Sequence, residues 1–286
     1  MTAAGLASAL LRIALGTTGA VMLLWLLLYL LQERLLFQPQ PLADAQRTAT
    51  GRLPGTETLS LVSPEGHTLR GWLRKPAQTG PWPLLLYFGG NAEEVSHILA
   101  EQAAWPGWAI ATLNYRGFGD SQGEAGEAAL RADALLLYDH LSRRSDVQAN
   151  RIVAMGRSMG SGVAVALAAE RKLSGLVLIT PYDSLTAVAQ RHYRWVPVRW
   201  LLRHRFDSAA QAPQRQEPAL FLVAGEDQLI PKAHAQRLHD AWRGSKIWVE
   251  LPNTGHGDLS SAPVYDAALR SFLQGIAQGT EGAPIK

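Results

Sequence analysis

Residues 153–170 read VAMGRSMGSGVAVALAAE. The run ending at Gly156 is short and apolar, as a buried strand is, and the run after Ser161 is rich in Ala, Val and Gly, as a closely packed helix is. At the seam stands Gly156-Arg157-Ser158-Met159-Gly160, a G-x-S-x-G sequence. In a sharp strand-to-helix turn, flanking glycines remove side chains that would collide with neighbouring elements. The serine hydroxyl is then exposed and the next backbone N–H points at the same spot. A plain surface turn can carry the same pentapeptide, so its meaning depends on the rest of the chain.

Outward from this seam the pattern repeats. Short apolar runs at residues 83–88 (PLLLYF), 108–115 (WAIATLNY), 175–180 (GLVLIT), 219–225 (ALFLVAG) and 246–251 (KIWVEL) alternate with helically spaced segments at 92–105, 127–141, 232–242 and 264–277. Strands apolar on both faces, alternating with amphipathic helices, predict an α/β fold: a mostly parallel sheet covered by helices on both faces. Two alternating runs around Pro64-Glu65-Gly66 predict an antiparallel hairpin before it. Residues 182–213, with RHYRWVPVRWLLRHRF at 191–206, interrupt the rhythm between two strands and read as a small helical cap. Trp195 and Trp200 are read as packing this cap onto the domain. The alternative is that the basic, aromatic cap faces anionic headgroups and admits an acyl chain between Trp195, Trp200 and Leu201.

The N-terminal region has a different character. Residues 13–31, IALGTTGAVMLLWLLLYLL, carry no charge and are long enough to cross about 30 Å of hydrocarbon as a helix. A signal peptide has a shorter apolar core and a small-residue cleavage site, whereas LLQERLLFQPQPL follows here. Trp25 and Tyr29 sit where an interfacial aromatic belt would place them. The expected organisation is an anchor at 1–37, a Pro- and Gly-rich linker at 38–56, the α/β domain at 57–277 and a frayed tail at 278–286. A single-pass membrane protein follows from this reading, with membrane lipid as a partner of the N-terminal helix. Basic residues balance across the span and assign no side.

Composition narrows the function. With 47% hydrophobic and 18% charged residues, the 286-residue chain has ample core material and too little charge for disorder. A net charge of +3 does not imply nucleic acid, and the absence of cysteine removes disulfides, thiol nucleophiles and thiolate metal sites. No cofactor, metal or obligate protein partner is implied. The Gly-rich turn at 114–124 lacks a nucleotide fingerprint in its required setting and reads as structural.

In a parallel sheet, ligands bind beyond the carboxyl ends of the strands. A serine there needs a base. Of eight histidines, most fall in helical or cap segments, but His256 stands in PNTGHGD, after the last apolar run, where Gly255 and Gly257 are read as freeing the loop to reach across the sheet. The acid partner is assigned to Asp227 in VAGEDQLIP, because the order Ser, Asp, His suits this architecture. Glu226, Asp183 and Asp258 are its rivals. The backbone N–H groups of Asn91, in YFGGNAEEV, and of Met159 are assigned to an oxyanion hole.

With these residues in place, the chain resembles the Bem46-like group of α/β-hydrolase fold proteins. The resemblance rests on QERLLFQP, GGNAEE, NYRGFGDSQG, GRSMGSGVAV, TPYDSL, RFDS, GEDQLIP and NTGHGD, in that order along the soluble part. It implies an N-terminal anchor, Ser158 as nucleophile with Asp227 and His256, and Asn91 with Met159 at the oxyanion hole. Family members often carry His where this chain has Gly89, so a side-chain role there is not implied. The expected function is a membrane-anchored serine hydrolase acting on a carboxylic ester or thioester, small or with an acyl chain. Peptide hydrolysis and a catalytically silent binding role on the same fold stay open.

Overall fold

The computed structural model describes residues 3–279, so residues 280–286 of the expected tail lie outside the described residues. The strands β1 (Thr56–Val62), β2 (Thr68–Arg74), β3 (Trp82–Phe88), β4 (Ala109–Leu113), β5 (Val147–Arg157), β6 (Gly175–Ile179), β7 (Ala219–Ala224) and β8 (Lys246–Leu251) form one sheet in the order β1-β2-β4-β3-β5-β6-β7-β8. β1 and β2 make the antiparallel hairpin, with Leu59 opposite Gly71. β2 runs antiparallel to β4, and every later pairing is parallel.

The apolar runs explain the layering. In β3, Leu84, Leu86 and Phe88 enter one core cluster while Leu85 and Tyr87 enter the other, on the opposite face. Side chains alternate across a strand, so a strand apolar at every position must be covered on both sides. Fully burying each such leucine contributes about 2 kcal/mol.

The helices are α1 (Ala3–Leu36), α2 (Asp44–Arg52), α3 (Glu127–Ser142), α4 (Met159–Glu170), α5 (Leu185–His192), α6 (Val198–Leu201), α7 (Ser208–Gln211), α8 (Lys232–Ala241) and α9 (Pro263–Gln278). Leu137 of α3, Val163 of α4 and Leu238 of α8 belong to one cluster. Leu269 and Phe272 of α9 belong to the other. The segment with helical spacing at 92–105 folds as a 3₁₀ helix, Val95–Ala104, rather than an α-helix. It places Val95, Ile98 and Leu99 on the second face. Its start is capped by Glu94, which accepts from the Ser96 N–H.

Three further features differ from the sequence reading. Residues 38–56, read as a linker, contain α2 and are tied to the domain: the Gly119 N–H donates to Gln40 O at 2.8 Å, and Arg47 pairs with Asp120. Trp195 and Trp200, read as packing the cap, are 58% and 75% exposed. The third is α1, which continues past the uncharged run, and its last turns pack on the insertion between β6 and β7. Residues 29, 32, 33 and 36 share one helix face, since side chains three and four apart align. Gln32 on that face donates to Leu201 O at 3.1 Å and accepts from the Arg203 N–H at 2.8 Å. Glu33 pairs with Arg203 at 3.4 Å, and Arg203 lies 5.0 Å over the Tyr29 ring. The span within Ala4–Leu36 has a mean hydropathy of 2.0, with none of its most apolar 18-residue window buried, so it is long and apolar enough to cross a membrane.

Candidate active site

Ser158 sits between the end of β5 and the start of α4 with φ 52° and ψ −119°. That conformation is strained for a residue with a side chain, and it persists where the surroundings over-determine it. Here both flanking glycines do so by close approach. A Cβ on Gly156 would lie 2.2 Å from Gly160 O, and one on Gly160 would lie 2.0 Å from Phe88 O. The Ser158 N–H donates to Ile179 O at 2.8 Å, which ties the turn to the end of β6. The turn is thus wedged between the carboxyl ends of β3 and β6, and Ser158 is 8% exposed.

His256 and Asp227 arrive from the loops after β8 and β7. The His256 ring approaches Ser158 Oγ through Nε2 at 2.9 Å and Asp227 Oδ2 through Nδ1 at 2.7 Å. With Nδ1–H donated to the carboxylate, Nε2 presents its lone pair to the serine hydroxyl. Asp227 Oδ1 accepts from the N–H groups of Leu229 and Ile230 at 2.9 and 2.8 Å. The carboxylate, 6% exposed, therefore has three fixed donors. The two loops are joined by the Glu226 N–H, which donates to Thr254 O at 2.9 Å.

The rival carboxylates are engaged elsewhere or turned away. Asp183 takes His234 Nδ1 at 2.7 Å and Arg237 Nε at 2.5 Å. Burial pushes its carboxyl up, but these hydrogen bonds outweigh it and hold the group below the usual range. Asp258 Oδ1 accepts from the Gly255 N–H at 2.6 Å, within its own loop. Glu226 meets the His256 loop through its backbone. The loop that carries His256 reaches Ser158 without a left-handed glycine. Neither Gly255 nor Gly257 has a positive φ, whereas Asn253 does, at 57°. The loop turns at an asparagine, which tolerates the left-handed region better than most residues.

The turn after β3 lies against the serine: a Cβ on Gly90 would stand 3.8 Å from Ser158 Cβ. The Gly90 N–H is committed to Glu93 Oε2 at 2.7 Å. Asn91, next in the chain, is held from behind. Its carbonyl accepts from the Gln38 N–H at 3.0 Å, and its side chain donates to Leu36 O at 3.2 Å. Met159 is the first residue of α4, and the first N–H groups of a helix have no intrahelical acceptor.

Two residues that the sequence reading did not single out complete the setting. Glu93, besides binding Gly90, accepts from the Tyr87 hydroxyl. Burial, and after it the charge of Glu93, push the Tyr87 phenol well above the ordinary range, so it remains a donor. Arg157 bridges Glu93 at 3.4 Å to the carbonyls of His256 and Gly257, both at 3.4 Å. The variable residue of the G-x-S-x-G sequence thus links the Gly90 turn to the histidine loop. The first glutamate of GGNAEE was the available signal, but it becomes readable only once β3 is known to lie beside β5.

Known proteins share this frame. The family model described as serine aminopeptidase, S33, matches residues 88–209. The chain is 33% identical over 265 residues to "Uncharacterized protein Rv2307c" of Mycobacterium tuberculosis, covering 91% of this chain and 92% of that one. It is 27% identical to "Alpha/beta hydrolase domain-containing protein WAV2" of Arabidopsis thaliana, over 92% of this chain and 94% of the relative. It is 26% identical to "Uncharacterized membrane protein YNL320W" of Saccharomyces cerevisiae, over 76% and 79%. Among solved structures, 2,6-dihydroxy-pseudo-oxynicotine hydrolase superposes with a TM-score of 0.71 at 16% identity, over 84% of this chain and 74% of that one. Strand order, the serine turn and these relatives agree: the chain belongs to the α/β-hydrolase family.

Proposed function

We propose that the protein is a membrane-anchored serine hydrolase that cleaves a carboxylic ester or thioester through an acyl intermediate on Ser158. The observation that carries this reading is the hydrogen-bonded chain from Asp227 through His256 to Ser158 Oγ, at 2.7 and 2.9 Å. In the first half-reaction Oγ bonds to the substrate carbonyl carbon while its proton passes to His256 Nε2. The bond to the leaving oxygen or sulfur then breaks, and that atom takes the proton from Nε2. Water repeats the sequence against the acyl-serine, giving the free acid and restoring the hydroxyl. Asp227 holds the imidazole in the productive tautomer and stabilises its cation. The N–H groups of Asn91 and Met159 receive the oxyanion, each such donor contributing about 3 kcal/mol to the transition state.

In this reading residues 57–277 form the catalytic domain, with 182–213 as its cap and α1 as the anchor. The apolar length of α1 and the relative named as a membrane protein support membrane attachment, and the sequence resemblance supports membership of the Bem46-like group. Peptide hydrolysis is the second reading, favoured by the description of the matching family model. Against it stand Arg191, Arg194 and Arg199, exposed around the cap, which would repel a substrate ammonium group. A fluorophosphonate probe labels the wild type and leaves Ser158→Ala unlabelled on the proposed mechanism. Equal labelling of the two refutes it. A preference for amino-acid anilides over p-nitrophenyl esters selects the peptidase instead.

A further inference from the structure

Between the last turns of α1 and the cap lies an apolar groove with a cavity of about 130 Å³. Leu28 and Leu36 of α1 form one side, and Ala189, Val196, Val198 and Leu202 of the cap region form the other. Gln32 also borders it, but its amide is spent on Tyr29 O, Leu201 O and the Arg203 N–H. Apart from the Tyr193 phenol, the lining therefore offers an occupant apolar contact. Protein interiors rarely keep voids larger than a water molecule, because the lining atoms lose contacts on one side. An apolar cavity of about 150 Å³ is filled by a body the size of benzene. The groove is of that order, so its volume suits a section of one alkyl chain.

One end of the groove lies near the serine turn. Leu36, which lines it, accepts from Asn91 Nδ2 at 3.2 Å. Asn91 follows Gly90, the residue placed against Ser158. At its other end the groove follows α1 for about 12 Å from Leu36 back to Leu28, at 1.5 Å per residue. It there meets the exposed apolar surface of that helix, including Leu24 and Leu31. Trp195 and Trp200 stand exposed nearby on the cap, with Arg199 lying 5.2 Å over the Trp200 ring. Aromatic rings and arginines at the end of an apolar helix belong to the headgroup layer, where arginine meets anionic lipid.

We infer that this groove binds the acyl chain of a single-chain ester or thioester resident in the membrane, and delivers its carbonyl to Ser158 from the side of α1. The inference rests on the hydrolase reading above and names its substrate class. The occupant enters from the lipid phase along α1, its tail lying between helix and cap, toward the rim that carries Trp195, Trp200 and Arg199, while its carbonyl end lies past Leu36 toward Ser158.

The test uses the full chain in detergent and in vesicles containing anionic lipid, with an alkyl fluorophosphonate carrying a terminal diazirine. The probe forms a Ser158 Oγ–phosphorus bond and releases fluoride, the hydroxyl proton passing to His256. Illumination then cross-links the end of the alkyl chain. Cross-links within residues 28–36 and 189–202 support the groove. Labelling of Ser158 with cross-links elsewhere overturns the groove and leaves the hydrolase reading intact, while no labelling overturns both. As a second measurement, Ala189→Phe narrows the groove and should lower the ratio of kcat/KM for dodecanoyl over acetyl p-nitrophenyl ester at least tenfold. Removing one wall side chain in Leu202→Ala should shift the same ratio the other way. An unchanged ratio in both variants refutes the assignment.

Discussion

Asp227→Asn separates the role of the carboxylate from its place in the fold. Oδ1 accepts from two backbone N–H groups and Oδ2 faces His256 Nδ1 at 2.7 Å. Asparagine keeps an oxygen for the first pair and puts an NH₂ donor against the ring. The imidazole answers with the opposite tautomer, carrying its proton on Nε2, which then meets Ser158 Oγ at 2.9 Å as a donor rather than a base. Loss of the correct tautomer in such a triad costs about 10⁴ in kcat, and at 1.36 kcal/mol per tenfold that is about 5.4 kcal/mol of barrier. Asp227→Ala would be a poorer probe, since it also strips the Leu229 and Ile230 N–H groups of their acceptor, at about 1–3 kcal/mol of stability for each one left unsatisfied. Initial rates on p-nitrophenyl butyrate, with thermal melts run beside them, decide the matter. An Asp227→Asn protein that melts like the wild type and retains more than a tenth of its kcat refutes the assigned role of Asp227.

Gly160→Ala should destabilise the protein by about 1–3 kcal/mol through overpacking and depress activity, because its Cβ would sit 2.0 Å from Phe88 O and 2.6 Å from Gly89 O. Gly257→Ala, with nothing within 4 Å of the added carbon, should stay within about 0.5 kcal/mol of wild type; similar melts for the two variants contradict the steric argument. Away from the site, hydrogen bonds from Arg144 hold the Asp146 carboxyl down at about 2. A depressed carboxyl adds stability above its unfolded pKa of about 4, and that stability is lost as pH falls through about 2. The melting gap between wild type and Arg144→Met should therefore be widest above pH 4 and narrow toward pH 2, and a gap independent of pH counts against the ion pair.

The sheet was legible because its strands are apolar at consecutive positions, as PLLLYF is, and a doubly covered strand has few other sequences available to it. Ser158, Asp227 and His256 were legible as a set because each follows such a run. Within the segment read as a linker, α2 was not legible for a reason of scale: Asp44–Arg52 is polar, contains Gly51 and buries only Thr50. A nine-residue helix of that kind is marginal on its own and is held by contacts with distant residues such as Asp120, which pairs with Arg47. The cap tryptophans were misread because large aromatic side chains usually bury when they can, and sequence alone does not say which surface an insertion leaves uncovered. Arg157 and Glu93 were missed because their meeting depends on β3 and β5, separated by about sixty residues, lying side by side.

The lock between α1 and the cap also has a mechanical consequence. A catalytic body hung from a floppy tether samples every orientation toward the bilayer and meets it at random. Here Gln32, Glu33 and Leu36 clamp the helix to the body at three successive points, like a bracket bolted to a wall. Rotation about the helix axis is then arrested, so that in the membrane-anchored enzyme proposed above one fixed face would look at the lipid, and shaving off the first thirty-six residues would remove structure from the enzyme.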